Sequence, residues 1–168
     1  GTVGDRSRVT TSNYGSTVDL QGWGESVVTL GYGDRYNAEG TNYYYTATFA
    51  GTSSAAPMVA ASATLLQSAF KAANPGKTLK PGQIAAALVN TGSPQLAGTN
   101  PATQKIGPRP NVTGAKSCVE DCDDGNPCTD DFCGPSGACT HTNNTATCDD
   151  GNPCTTGEVC GGGSCGGG

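Results

Sequence analysis

The spacing of apolar residues predicts two helices in the middle of the chain. Residues 53–73 carry small or apolar side chains on nearly every face, which is typical of a helix inside a core. The turn formers Asn74, Pro75 and Gly76 end this helix. Residues 81–89 have a proline in their first turn and one apolar face, and they predict a second helix that Gly92 terminates.

Before these helices, short β-prone runs alternate with turn formers. Residues 26–30 (SVVTL) predict a buried strand, and residues 46–50 (TATFA) predict an extended stretch leading to Gly51. Residues 18–20 (VDL) predict a short strand. The polar segment 31–45 is rich in tyrosine, and its rings either line a groove or cover a loop.

The cysteines divide the chain into two regions. All nine cysteines of the 168 residues lie at or beyond Cys118. The region before them can hold a modest core, whereas the region after is too poor in large apolar residues to fold without cross-links. We therefore expect a domain over residues 1–114, a polar linker at 111–117 and a cysteine-rich region over 115–168. Crowded cysteines also indicate an oxidising compartment, so we expect a secreted, extracellular protein.

Charge and hydropathy exclude two classes of partner. The formal net charge is −5 and no cluster of lysine or arginine occurs, which argues against nucleic acid. No apolar run approaches the roughly 18 residues that a membrane-spanning helix needs.

The stretch GTSSAAPMVAA, which starts at Gly51, carries the candidate chemistry. Gly51 permits a sharp turn before the helix, Thr52 or Ser53 can cap it, and Pro57 is tolerated in the first turn or so. A serine at this point offers a hydroxyl beside unpaired backbone N–H groups, and the helix dipole favours negative charge there. Ser53 is thus placed either as a nucleophile or as an ordinary helix cap.

The same stretch resembles the serine motif of the subtilisin-like serine proteases, the subtilases, with Ser53 at the position of the nucleophile. The segment SNYGSTVDLQGWG upstream and IGPRPN downstream also resemble that family, although QGWG stands where many members have Ala-Pro-Gly. The resemblance covers residues 1–114 and implies the carboxyl-terminal part of such a domain. The implied fold is α/β, a truncated, mostly parallel sheet with helices, followed by a small disulfide-rich tail.

The resemblance implies a serine endopeptidase whose substrates are proteins or peptides. In the family the triad aspartate and histidine motifs lie far upstream of the serine, so Asp19 matches a structural position. A serine hydroxyl needs a general base, and the only histidine is His141 in the tail. We therefore expect this piece to be inactive without the missing amino-terminal portion of the enzyme, a possible partner. The alternative is a non-enzymatic secreted binding or spacer protein with a protease remnant.

The tail contains a repeat. The sequence CDDGNPCT at Cys122 recurs 26 residues later at Cys148, which defines four-cysteine units of about 122–147 and 148–168. We expect each unit to close on itself with two bridges, leaving Cys118 over, although four cysteines permit three pairings. The units resemble Asp-Gly-Asn-Pro-Cys-Thr repeats of secreted and surface proteins from bacteria and slime moulds.

The tail offers few metal ligands of a recognisable kind. Its cysteine spacings lack the C-x₂-C pairs of zinc sites. The Asp and Asn side chains of each repeat can either supply oxygen ligands to Ca²⁺ or form turns, and we favour turns and expect no cofactor. These residues are Asp123, Asp124, Asn126, Asp149, Asp150 and Asn152. We expect His141 to be an exposed loop residue.

Overall fold

The computed structural model describes residues 5–166 of the chain. Its helices are Thr52–Ala73 (α1), Pro81–Asn90 (α2) and Val112–Cys122 (α3). Its strands are Val27–Leu30 (β1), Tyr45–Phe49 (β2), Thr129–Cys133 (β3), Cys139–Asn143 (β4), Val159–Gly161 (β5) and Ser164–Gly166 (β6). None of the helices in the described part of the chain is long and apolar enough to cross a membrane.

The chain forms two compact units. The first, here called the serine unit, takes the residues up to Leu65 together with Gly92–Val112. The second, the cysteine unit, takes Leu66–Thr91 and the residues from Thr113 onward, and therefore contains every cysteine. Because α1 is shared between the units at Leu65 and Leu66, each unit is described by itself.

Helices α1 and α2 confirm the predicted positions. Pro81 begins α2, and the Lys80 backbone N–H donates to the Gln83 side chain at 2.7 Å, which closes the helix start. The expectation that α1 lies inside a core is wrong for much of its length. Leu66 and Phe70 are buried, whereas Leu65 is 59% exposed, because the described residues cover only one side of the helix.

The fold is mixed α/β, as predicted, but all three strand pairs among residues 5–166 are antiparallel, and the expected parallel sheet is not seen there. β1 pairs with β2, β3 with β4 and β5 with β6. β1 is not the buried strand that its sequence predicts, since Val28 and Leu30 are more than half exposed. Residues 18–20 form no strand, because their backbone is not paired in any ladder.

The predicted polar linker is wrong, because α3 occupies this part of the chain. Its buried residues follow helical spacing at i, i+3, i+4 and i+7, and they are Ala115, Cys118, Val119 and Cys122. Both cysteines of this face are disulfide-bonded, to Cys133 and Cys139 respectively. The polar residues between them lie on the opposite face of the helix. Because of these polar residues, composition alone predicts a linker here.

The disulfides form a disulfide-rich tail, as expected, but with a different pairing. The four bonds are Cys118–Cys133, Cys122–Cys139, Cys128–Cys160 and Cys148–Cys165. Cys118 is therefore paired and Cys154 is free and exposed. Each repeat therefore has one internal bridge and not the expected two. The antiparallel pairing of β3 with β4 places Cys133 beside Cys139, and both bond to cysteines of α3. Cys128 of the first repeat bonds to Cys160 of the second.

The interior of the serine unit is mainly polar. Ile106 is its one apolar side chain counted among the buried residues of the described chain, whereas its buried polar side chains are Ser7, Arg8, Gln21, Thr46 and Ser54. Arg8 is 6% exposed, and its guanidinium donates to the carbonyl oxygens of residues 9, 10 and 12 at 3.1, 2.9 and 2.6 Å. It also donates to the side chains of Gln104 and Asn100. Arg8 thus fixes the loop that follows it.

Candidate active site at the start of helix α1

Ser53 lies in the first turn of α1 and is exposed to solvent. Gly51, with φ 107°, takes a left-handed backbone conformation that other residues rarely adopt, and it turns the chain into the helix. The first N–H groups of a helix have no intrahelical acceptor. Pro57 is the sixth residue of α1, and its missing N–H leaves the Ser53 carbonyl without the i+4 donor of a regular helix.

The neighbouring serine has a different role. Ser54 is buried, and its Oγ lies 2.7 Å from the carbonyl oxygen of Gly51 and 2.9 Å from that of Trp23. Within the described chain, no residue hydrogen-bonds the hydroxyl of Ser53. The prediction that Thr52 or Ser53 caps the helix is wrong for the described residues, because neither side-chain oxygen accepts a backbone N–H there. The hydroxyl of Ser54 instead anchors the first turn by donating to the two carbonyl oxygens. The hydroxyl of Ser53 is exposed and makes no hydrogen bond to another described residue.

The loop at residues 21–24 holds the start of α1 in place. The Gly51 backbone N–H donates to the Gly24 carbonyl oxygen at 2.8 Å. Gly22 packs so closely on the first turn of α1 that any Cβ there would overlap the backbone of Ala55. The loop is itself anchored by Gln21, which is buried and donates from Nε2 to the Gly107 carbonyl oxygen at 2.7 Å. The QGWG sequence thus acts as a support for the serine.

A cavity of about 210 Å³ lies beside the start of the helix. It is open to solvent and no ionisable side chain lines it, so its polar character comes from hydroxyl and backbone groups. Its lining residues are Val9, Thr11, Ser12, Gly24, Gly51, Thr52 and Ala55. Three of them belong to the loop that Arg8 fixes, so the buried arginine shapes the space next to Ser53.

The other candidate members of a triad are engaged elsewhere. The Asp19 carboxylate is 68% exposed and lies 3.6 Å from the Lys105 ammonium. His141 lies on β4 of the cysteine unit, and not in a loop as expected. Its Nδ1 is 2.8 Å from the Asp131 carboxylate, and this hydrogen bond raises the pKa of His141 above its usual value of 6.5. The serine unit itself contains no histidine.

A comparison with models of protein families tests the family membership that the serine motif indicates. The model of the Subtilase family matches residues 3–143. The chain belongs to the subtilase family.

The matched region of this subtilase includes all but the first two residues of the serine unit, and it contains Ser53. It extends past residue 114, where we placed the end of the protease domain. A model of a Dictyostelium (slime mold) repeat matches residues 147–156, which hold the second copy of the CDDGNPCT sequence. No curated protein matches the chain. The resemblance to subtilases and to a slime-mould repeat is thereby confirmed.

The repeats of this subtilase use their acidic residues to build turns, as predicted. The Asp123 and Asp124 carboxylates accept the backbone N–H groups of Gly125 and Asn126 at 2.9 and 2.8 Å. The bond from Asn126 lowers the pKa of Asp124. Asp124, Asp131 and His141 place one ligand atom each within 4.8 Å of one another, a spacing that a cation would accept. We assign no metal there, since the Asp124 carboxylate already serves the turn.

Proposed function

We propose that the protein is a serine endopeptidase in which Ser53 is the nucleophile and the substrates are proteins or peptides. The observation that carries this proposal is the division of roles between two adjacent serines. Ser54 is buried and makes the bonds that secure the helix, while Ser53 is exposed and its hydroxyl is unbound in the described chain. A serine that capped the helix would accept a backbone N–H of the first turn on its side-chain oxygen, and among the described residues no such bond to Ser53 is found.

The chemistry follows from this placement. The Ser53 Oγ attacks the carbonyl carbon of the scissile peptide bond, and a C–O bond forms as the hydroxyl proton passes to a histidine base. The backbone N–H of Ser53 donates to the oxyanion, whose negative charge the amino end of α1 also favours. The histidine then protonates the leaving amine, and water releases the acyl group from Ser53.

This mechanism needs residues that the 168-residue sequence does not supply at the family's positions. We propose that the triad aspartate and histidine, with a mostly parallel sheet, come from an amino-terminal portion of the same enzyme. The exposed apolar side chains of the serine unit support such a partner, because Val28, Leu30 and Leu65 are each more than half exposed. In the absence of that portion we expect no hydrolysis. The disulfides support a secreted, extracellular location.

A second candidate is a non-enzymatic secreted spacer or binding protein that carries a protease remnant. One observation favours it: the only histidine lies in the cysteine-rich repeats and is bound by Asp131. In that case the serine unit would have no catalytic role, and the cysteine-rich repeats would determine the function of the protein.

Hydrolysis of a casein-derived peptide by the natural protein that contains this sequence separates the candidates. We expect Ser53→Ala to lower kcat to the background rate and to leave the unfolding temperature unchanged. Ser68→Ala is the matched control, because Ser68 is an exposed serine farther along the same helix, and it should retain full kcat. If the unmodified protein and Ser53→Ala are equally inactive while both are folded, the protease proposal fails.

A further inference from the structure

The two cysteine repeats follow one bonding rule. Counting cysteines within a repeat, the first bonds to the fourth in both copies, as Cys122–Cys139 and Cys148–Cys165. The third bonds to a cysteine that precedes its own repeat. In the first copy this is Cys133 with Cys118 of α3, and in the second copy it is Cys160 with Cys128. The second cysteine of the first copy is therefore the attachment point for the second copy.

The cysteines of the two copies correspond in structure as well as in sequence. In each copy the third and fourth cysteines face each other across an antiparallel hairpin, as Cys133 with Cys139 and Cys160 with Cys165. The third cysteine therefore occupies the same place in both hairpins.

The turn that presents the second cysteine is also the same in both copies. The Cys128 backbone N–H donates to the Asn126 side-chain oxygen at 2.9 Å, and the Cys154 N–H donates to the Asn152 oxygen at 3.1 Å. Asp124 and Asp150 accept the N–H of the following asparagine at 2.8 Å in each case. The copies differ in burial, since Cys128 is 0% exposed and Cys154 is exposed and unpaired.

The residues around Cys154 are equivalent to the residues around Cys128, where the second copy is attached. There the Asn126 amide donates to the Gly163 carbonyl oxygen in the hairpin turn of the second copy at 2.9 Å. The equivalent amide of Asn152 is exposed and has no such partner in the part of the chain that the structure describes. A solvent-open cavity of about 490 Å³ lies beside it, and its lining includes Asp149, Asn152, Pro153, Thr155, Thr156 and Glu158.

We propose that Cys154 is the attachment site for a further copy of this repeat placed after the second one, and that its thiol bonds to the third cysteine of that copy. The residues that connect the two present copies support a partner joined in sequence. Their Asn144 backbone N–H donates to the Cys128 carbonyl oxygen at 2.9 Å, so the connection itself brings the next hairpin to this cysteine. Each added repeat would thus cover the second cysteine of the repeat before it and would expose its own second cysteine.

The bond forms by oxidation of two thiols. Cys154 and the third cysteine of the added copy each lose a proton, and together they give up two electrons as the S–S bond forms. A small-molecule disulfide such as oxidised glutathione accepts the electrons and is reduced to two thiols.

The test compares the 168-residue chain with an extended chain that carries a copy of residues 143–168 after Gly168, which keeps the spacing between repeats. Both are oxidised with a glutathione buffer, treated with iodoacetamide without reduction, and mapped by mass spectrometry. In the 168-residue chain we expect alkylation of Cys154. In the extended chain we expect Cys154 to be bonded to the added copy of Cys160, while the added copy of Cys154 is alkylated.

A matched control is the extended chain in which the added copy of Cys160 is serine, where Cys154 should lose that bond. In every sample, the Cys148–Cys165 bond is the internal control that shows whether the repeats have folded and oxidised. Given that bond, the proposal is overturned if Cys154 of the extended chain stays alkylated, pairs within its own repeat, or links two molecules.

Discussion

In the serine unit the side chains removed from water are mostly polar, whereas in the cysteine unit most of them are apolar or disulfide-bonded. Arg8, Gln21 and Ser54 organise the serine unit by donating hydrogen bonds to backbone carbonyl groups. The cysteine unit buries Leu66, Leu88 and five cysteines. Hydrogen bonds to backbone carbonyl groups thus hold the first unit together, whereas apolar contacts and disulfides hold the second.

The difference has a functional side. Hydrogen bonds to specific carbonyl groups fix the loop at residues 9–12 and the start of α1, which together line the cavity beside the amino end of the helix. Such bonds position groups accurately but add little net free energy. Disulfides add stability without defining a reactive geometry. The unit that carries the proposed chemistry is therefore the less self-sufficient one.

The largest expected effect concerns the disulfides. Replacing Cys118 and Cys133 together by serine removes a bridge that spans 15 residues, and we expect the free energy of unfolding of the cysteine unit to fall by about 3 kcal/mol. Cys154→Ser is the matched control and should change this quantity little, because Cys154 is unpaired. Urea denaturation followed by circular dichroism measures both. Equal effects of the two changes would contradict the assigned pairing.

A smaller effect is expected from the buried arginine of the serine unit. Arg8→Ala leaves three backbone carbonyl groups without their donor, and we expect a loss of roughly 2 kcal/mol that is confined to the serine unit. Arg6→Ala is the control, since Arg6 makes one exposed bond, to the Pro94 carbonyl oxygen. Hydrogen exchange read peptide by peptide locates the loss. Faster exchange in the cysteine unit instead would show that Arg8 does not act as described.

The adjacent serines sharpen the comparison further. Ser54→Ala removes the hydroxyl that binds Trp23 and Gly51, and we expect it to destabilise the serine unit by about 1 kcal/mol. Ser53→Ala should leave the free energy of unfolding unchanged. Thermal unfolding of both variants checks this difference, and a loss on Ser53→Ala as large as that on Ser54→Ala would assign Ser53 a structural role.

The smallest effect is a pH dependence of the cysteine unit. The hydrogen bond that the His141 ring makes to the Asp131 carboxylate raises the pKa of His141 in the folded state above the unfolded value of 6.5. The stabilisation is thus fully present below about pH 6.5 and is lost as pH rises through the folded pKa. His141→Gln should remove this dependence, and NMR titration of the His141 ring measures the pKa. A folded pKa at or below 6.5 would contradict the contact.

The helices that could be predicted are those whose ends are marked in the sequence. Gly51 and the Asn74-Pro75-Gly76 run bracket α1, and Pro81 starts α2. Helix α3 was missed because Gly114 and several polar residues hide its buried stripe, although the spacing of Ala115, Cys118, Val119 and Cys122 was a usable signal.

The candidate nucleophile could be predicted from local sequence, but its supports could not. Ser53 follows from its motif, whereas the bonds of Arg8 to Asn100 and of Gln21 to Gly107 join residues that lie more than 80 positions apart. The pairing of Cys128 with Cys160 is similarly non-local, since equal spacing in two repeats gives no preference between closure within a repeat and a link between repeats.

The most direct test of the central claim is the site of reaction with a fluorophosphonate, which modifies activated serines. The natural protein that contains this sequence is labelled, digested and mapped by mass spectrometry, beside its Ser53→Ala variant and a heat-unfolded sample. We predict one adduct, on Ser53, that is absent from both controls. An adduct on another serine, or none on the folded protein, would contradict the assignment of Ser53 as the nucleophile.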